Sequence, residues 1–177
     1  GFNYDSNELY SPTVTILSVR MLLAIFCGVA SVMFKHYDVS QAFLWADLKE
    51  EVYLRPLAEM GLAADEVIRV RKAMYGLKQA SNAWWVTAKD GLTDPDKLAL
   101  TQSEYDQCIF FKHRGDEFLI LALFVDDMAV FTNSKEMDAD LYKQLNEMFK
   151  VEDRGATSWF IGIMIERNIE KCFVDLS

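Results

Sequence analysis

Apolar residues recur along this chain in two rhythms, one helical and one extended. The run SPTVTILSVRMLLAIF opens with Ser11 and Pro12, a fair helix start, and continues into apolar positions that suit a buried helix. VMFKHYDV (32–39) then reads as a strand ending at Asp38, and QAFLWADL is short and helix-compatible. EVYLRP and VIRVRKA, split by a loop through Gly61, form a strand pair. SNAWWVTAKDGL (81–92) is helical, with Ser81 as candidate N-cap and Gly91 near its end. CIFFK, the turn HRGDE and FLILALFV give a hairpin whose second strand is apolar throughout, so it should be central and covered on both faces. MAVFT is a further strand. EMDADLYKQLNEMF places Met137, Leu141, Leu145 and Met148 at four- and three-residue steps, an amphipathic helix, and SWFIGIMIE is a last strand. The succession predicts an α+β domain, most simply a helix-backed antiparallel sheet.

One stretch breaks its own rhythm. LALFVDDMAVFT (121–132) is apolar on both sides of Asp126 and Asp127. A buried carboxylate is costly without a partner or a metal, and two adjacent ones each disfavour ionisation of the other. In a regular strand the two side chains would point to opposite faces. A tight turn between LALFV and MAVFT removes that conflict and stands both carboxylates at a hairpin tip. Hard divalent ions want such oxygens, and Mg²⁺ typically takes one or two carboxylates plus substrate phosphates. Asp38, at the end of its strand, is a second site-like carboxylate. If that strand lies beside the hairpin, three carboxylates converge, and two ions about 4 Å apart could hold the attacking and leaving oxygens of a phosphoryl transfer. The plain alternative is a solvated hairpin turn and an unrelated strand end.

Composition changes this picture little. The chain has 177 residues, 51% hydrophobic and 25% charged, enough for one domain with a real core. A net charge of −9 counts against an autonomous nucleic-acid binder and favours a small cation as partner. Cys27, Cys108 and Cys172 are isolated, and His36 and His113 lie far apart, so no zinc site is expected and the thiols read as free, in a reducing compartment. MLLAIFCGVASVMF (21–34) is too short for a membrane span and reads as a helix running into a strand. The start GFNYDSNELYSP lacks a signal-peptide layout, and no repeat or linker stands out.

Six phrases taken together resemble the reverse transcriptase of copia-type retrotransposons: SPTVTILSVRMLLA, YDVSQAFLWADLKEEVYL, VRKAMYGLKQASNAW, SEYDQCIFF, LFVDDMAVF and WFIGIMIE. They follow the family order and span nearly the whole chain. The resemblance implies an RNA-directed DNA polymerase: a right-hand palm with partial fingers, built on a ferredoxin-like core. Asp38, Asp126 and Asp127 match the catalytic aspartates, which in this family bind two Mg²⁺ ions (Mn²⁺ as a substitute), with the carbonyl of Val39 as a further ligand. The primer 3′-hydroxyl attacks an incoming deoxynucleotide and pyrophosphate leaves. Phe43 matches the bulky gate against a ribose 2′-hydroxyl, and Tyr75 and Gly76 match the nucleotide-binding turn. A missing Cβ at Gly76 would allow close approach of backbone to ligand. Trp159, Phe160, Ile161 and Gly162 match the region that grips the primer end. Arg69, Arg71, Lys72 and Lys78, the only dense basic cluster, could meet template or triphosphate phosphates, or form a solvated charged face.

The chain also departs from the family pattern. Ser40 stands where lysine is usual, Trp45 and Ala46 where asparagine or histidine then glycine are usual, and Ala80, Ser81 and Asn82 where Ser-Pro-Arg is usual. Residues 1–177 are expected to form a single palm and partial-fingers domain truncated at both ends, lacking basic finger strands, thumb and ribonuclease H. Such a fragment would polymerise weakly or not at all alone. Its expected partners are template-primer RNA or DNA, deoxynucleotides and the remaining polyprotein (integrase, ribonuclease H), with no membrane, in a cytoplasmic virus-like particle or the nucleus and not secreted. A second reading is a catalytically inactive, decayed or domesticated copy serving as a structural or binding module.

Overall fold

The computed structural model describes residues 10–26, 28–63, 65–168, 170 and 173–176. In chain order the elements are α1 (Ile16–Phe26), β1 (Met33–Val39), β2 (Asp47–Leu54), β3 (Ile68–Lys72), α2 (Ala80–Thr93), β4 (Thr101–Gln102), β5 (Ile109–Arg114), β6 (Glu117–Phe124), β7 (Asp127–Thr132), α3 (Lys135–Met148), β8 (Val151–Ala156), β9 (Trp159–Phe160), β10 (Ile163–Asn168) and β11 (Phe173–Leu176). Short 3₁₀ turns cover Ala42–Trp45 and Ala58–Met60. The main sheet has six strands in the order β4-β5-β6-β7-β1-β8, all pairs antiparallel. β2 and β3 pair separately, and β9, β10 and β11 form a small third sheet.

The apolar run of β6 sits between β5 and β7, as its composition predicts, because a strand with no polar face must be covered on both sides. One face of the sheet carries Tyr37, Leu121, Leu123, Met128 and Val130, all buried. On α3 the steps Met137, Leu141 and Leu145 bury one stripe, and Tyr37 of β1 reaches Asp138 of that helix. Ser134 caps α3, its side chain accepting from the Met137 amide. The buried stripe of α2 is Ala80, Trp84, Ala88 and Leu92, and Gly91 lets it approach α3: a Cβ there would lie 2.9 Å from Met148 Sδ. On the opposite face Phe34 stacks on Phe131 (4.4 Å), and Phe26 of α1 packs on Phe118 and Phe131. A ring as fully buried as that of Phe131 contributes about 2 kcal/mol. α1 covers only one end of that second face, and the other end, with His36, Asp38 and Asp127, stays partly open.

Several expectations are corrected. α1 starts at Ile16, not at Ser11 and Pro12, because Thr15 Oγ1 accepts from the Ser18 amide and caps it. It is half-buried: Val19 and Leu23 point inward while Ile16, Leu17, Met21 and Ile25 are exposed. α2 is preceded by Gln79 as N-cap, so Ser81 lies inside the helix. Asp47 and Leu48, read as helix-compatible, open β2. SWFIGIMIE is two strands, because Ile161 and Gly162 both take positive φ (44° and 81°) and reverse the chain. β8 was not anticipated: it is a polar strand at the sheet edge. Cys27 and Cys172 lie outside the described residues; Cys108 is a buried free thiol. Among the described residues no helix is long and apolar enough to cross a membrane.

Candidate active site

β1 and β7 are neighbours, and their register sets Asp38 directly opposite Asp127. Partners in such a register share one face, so both carboxylates stand on the partly open side. β6 and β7 are joined by the two-residue turn Val125–Asp126, closed by the pair Phe124 and Asp127. Asp126 thus occupies the hairpin tip, and its carbonyl accepts from the Val39 amide at 2.8 Å, tying the tip to the end of β1. Val125 has φ 55°, a left-handed conformation unusual for a β-branched residue, and its carbonyl accepts from Trp84 Nε1 at 2.6 Å.

Each carboxylate has a different neighbour. Asp127 Oδ1 lies 2.6 Å from His36 Nε2; His36 is two residues before Asp38 and therefore on the same face. Asp38 Oδ2 lies 3.5 Å from a guanidinium nitrogen of Arg154, which also pairs with Glu152 at 3.1 Å. Arg154 sits at a bulge, where the register of β1 with β8 shifts between His36 and Tyr37 and Gly155 takes φ 80°. Asp126 faces the Tyr75 hydroxyl. Partial burial, then the charges of Asp127 and Asp38, raise the Asp126 carboxyl above the ordinary carboxylate range. Desolvation and the Asp126 charge likewise raise the Tyr75 hydroxyl.

Besides the carboxylates, the sequence-derived candidates fall into four sets. Phe43, buried in its 3₁₀ turn, meets the Tyr75 ring edge-on at 4.5 Å, so Phe43, Tyr75 and the carboxylates form one neighbourhood. Gly76 takes φ 96°, and a Cβ there would meet nothing within 4 Å; backbone conformation, not crowding, calls for glycine. Phe160 is buried and touches His36 edge-on at 5.8 Å, which brings β9 beside the carboxylates, while Trp159 is 57% exposed. The basic cluster divides: Arg69 pairs with Glu51 at 3.0 Å and Lys72 with Asp47 at 2.9 Å, whereas Arg71 and Lys78 are exposed without an ion pair among the described residues. Val39 is buried and enters through its backbone alone.

His36, Arg154 and Trp84 were not singled out from sequence. Strand alternation was a usable signal for His36, two residues from Asp38. Arg154 had none, since a bulge in an edge strand leaves no periodic trace, and Trp84 acts through a nitrogen on an otherwise ordinary core face.

The donor set suits a hard divalent cation: three carboxylates and a nearby backbone carbonyl, with negative charge dense enough to perturb Asp126. As they stand, no three His, Cys, Asp or Glu side chains among the described residues are gathered into a metal-holding group. Asp38 is paired with Arg154 and Asp127 with His36.

A large antiparallel sheet with three helices among the described residues is consistent with the polymerase class that the sequence resemblance implied. Residues 1–175 match the family described as reverse transcriptase (RNA-dependent DNA polymerase), and the chain belongs to that family. It is 32% identical over 166 residues to the retrovirus-related Pol polyprotein from transposon TNT 1-94 of Nicotiana tabacum, covering 92% of this chain and 12% of that protein. It is 29% identical to the corresponding polyprotein from transposon RE1 of Arabidopsis thaliana, with 92% and 11% covered. It is 35% identical over 115 residues to the transposon Ty1-DR4 Gag-Pol polyprotein of Saccharomyces cerevisiae, with 65% and 6% covered. The chain thus spans about an eighth or less of the length of these relatives. No solved structure matches.

Proposed function

We propose that this chain is the palm, with part of the fingers, of a copia-type RNA-directed DNA polymerase within a Pol polyprotein. The observation that carries the proposal is the juxtaposition of Asp38 with Asp127 across the β1–β7 pair, with Asp126 at the adjoining tip tied back to Val39. The strand order β8-β1-β7-β6, with α2 and α3 in the two crossovers, supports a ferredoxin-like core for the palm.

In this reading Asp38, Asp126, Asp127 and the Val39 carbonyl hold Mg²⁺ or Mn²⁺. A bound divalent cation would neutralise charge on the phosphate oxygens and lower the pKa of a primer hydroxyl, easing its deprotonation. The protein's own contribution is position. Phe43, braced by Tyr75, fills the space that a ribose 2′-hydroxyl would need and so favours deoxynucleotides. The Tyr75 hydroxyl and the Gly76 backbone border the nucleotide. Phe160, Ile161 and Gly162 seat the primer end beside His36, and exposed Trp159 offers a ring face to a base. Arg71 and Lys78 meet phosphates of the template-primer. Holding reactants in line accounts for much of the rate enhancement in such chemistry.

A second reading, a copy that keeps the fold without the chemistry, draws on the Arg154–Asp38 pair, a cation already in the site. Calorimetry separates the two. The 177-residue chain should bind Mn²⁺, and Asp126→Asn and Asp127→Asn should each lose affinity. Equal heats in all three proteins would leave a solvated hairpin turn.

A further inference from the structure

The turn that presents Asp126 is built with the wrong residue for its shape. It is a two-residue hairpin connection with φ 55° at its first central position, Val125, and a following residue that does not share the positive φ. That position ordinarily takes glycine, because a side chain there is crowded against the backbone, and a β-branched one most of all. Strained conformations of this kind persist only where the surroundings over-determine them.

Both carbonyls of the turn accept from donors outside the hairpin. Val39 N–H reaches Asp126 O at 2.8 Å, and Trp84 Nε1–H reaches Val125 O at 2.6 Å. The indole is a firm anchor. Trp84 is 1% exposed, sits on the buried stripe of α2, and packs edge-on against Phe149 at 5.0 Å. Its N–H is a donor only, and Val125 O satisfies it. Losing that partner would bury an unmet N–H and free the turn at once, so the two features hold each other.

We propose that Trp84 is a positioning residue for the candidate active site: its indole N–H holds Val125 in the left-handed conformation that sets Asp126 at the tip, doing by hydrogen bond what glycine would do by lacking a side chain. The functional part rests on the polymerase reading above; the coupling between Trp84 and Val125 does not.

The test is a cycle of four proteins: wild type, Trp84→Phe, Val125→Gly and the double variant. Phenylalanine removes the donor and keeps most of the bulk; glycine adopts the turn unaided. Mn²⁺ affinity is read from the free-ion electron paramagnetic resonance signal, and unfolding midpoints are read in urea. Trp84→Phe should weaken Mn²⁺ binding about tenfold, the lower end of what losing a supporting hydrogen bond behind a metal ligand costs. Val125→Gly should stay within about twofold of wild type, and the double variant should stay close to Val125→Gly, because the indole is then unneeded. The same factor lost in both backgrounds, or no loss on Trp84→Phe, would make Trp84 a packing residue only and overturn the proposal. If wild type binds no Mn²⁺, the polymerase reading fails, and the urea midpoints still decide the coupling. A Trp84→Phe shift that shrinks in the Val125→Gly background upholds it, and additive shifts overturn it.

Discussion

Asp138→Ala probes how firmly β1, and with it Asp38, is held from behind. Tyr37, fully buried, donates to Asp138 Oδ1 at 2.7 Å, and Lys35 Nζ reaches Oδ2 at 3.0 Å. Lys35 keeps a second partner, Asp153, at 2.7 Å. Losing a buried hydrogen bond to a charged group costs about 1.5–3 kcal/mol. The largely buried Lys35–Asp138 ion pair adds only about 0.5 kcal/mol, since Lys35 retains Asp153. The expected loss is about 3 kcal/mol, or roughly 10 °C in Tm for a domain of this size. Tyr37→Phe should cost about half as much, because Asp138 then keeps Lys35. Burial works against the Lys35 charge, yet the bonds with Asp153 and Asp138 outweigh it and raise its pKa. A raised lysine contributes stability in full below its ordinary value and loses it only as pH rises through the folded value. The deficit of Asp138→Ala should therefore be constant between about pH 6 and 9. Urea unfolding measures it, and a loss below about 1 kcal/mol would refute the claim that this network anchors β1.

Asp126→Asn should raise the urea midpoint of the metal-free chain at pH 7. Because the folded carboxyl is raised, its contribution is present below the ordinary carboxylate value and lost as pH rises through the folded one, so the gain should vanish near pH 3. Burial, then the Asp106 charge, pushes the Cys108 thiol up to about 12, so iodoacetamide at pH 8 should label it only after urea is added, mapped by mass spectrometry. Arg71→Ala and Lys78→Ala should each weaken binding to a template-primer duplex and lower the slope of log K against log salt by about 1; unchanged slopes would return both to the solvated surface.

What was legible in the sequence follows from where each residue's energy comes from. β6 and α3 were readable because burial selects their side chains directly, through the apolar run of one and along one stripe of the other. β8 was not, because an edge strand exposing Glu152, Asp153 and Arg154 is held by backbone pairing that leaves no apolar pattern. The β9–β10 reversal hid in FIG, where Ile161 takes a positive φ without the usual Asn-Gly signature. The turn carrying Asp126 was legible because like charges inside an apolar run demand an explanation. The neighbours of the carboxylates were less so. His36 and Arg154 reach them across strand registers that periodicity does not set, and Gln79 rather than Ser81 precedes α2 because the chain enters the helix through a preceding turn.

The central claim is that the carboxylates of residues 38, 126 and 127 jointly hold a divalent ion. An anomalous difference map from crystals of this chain grown with Mn²⁺ addresses it most directly. The account predicts a manganese peak within bonding distance of carboxylate oxygens from both β1 and the β6–β7 tip, with Arg154 turned away from Asp38. A well-ordered hairpin with no peak there, and Arg154 still on Asp38, would contradict it.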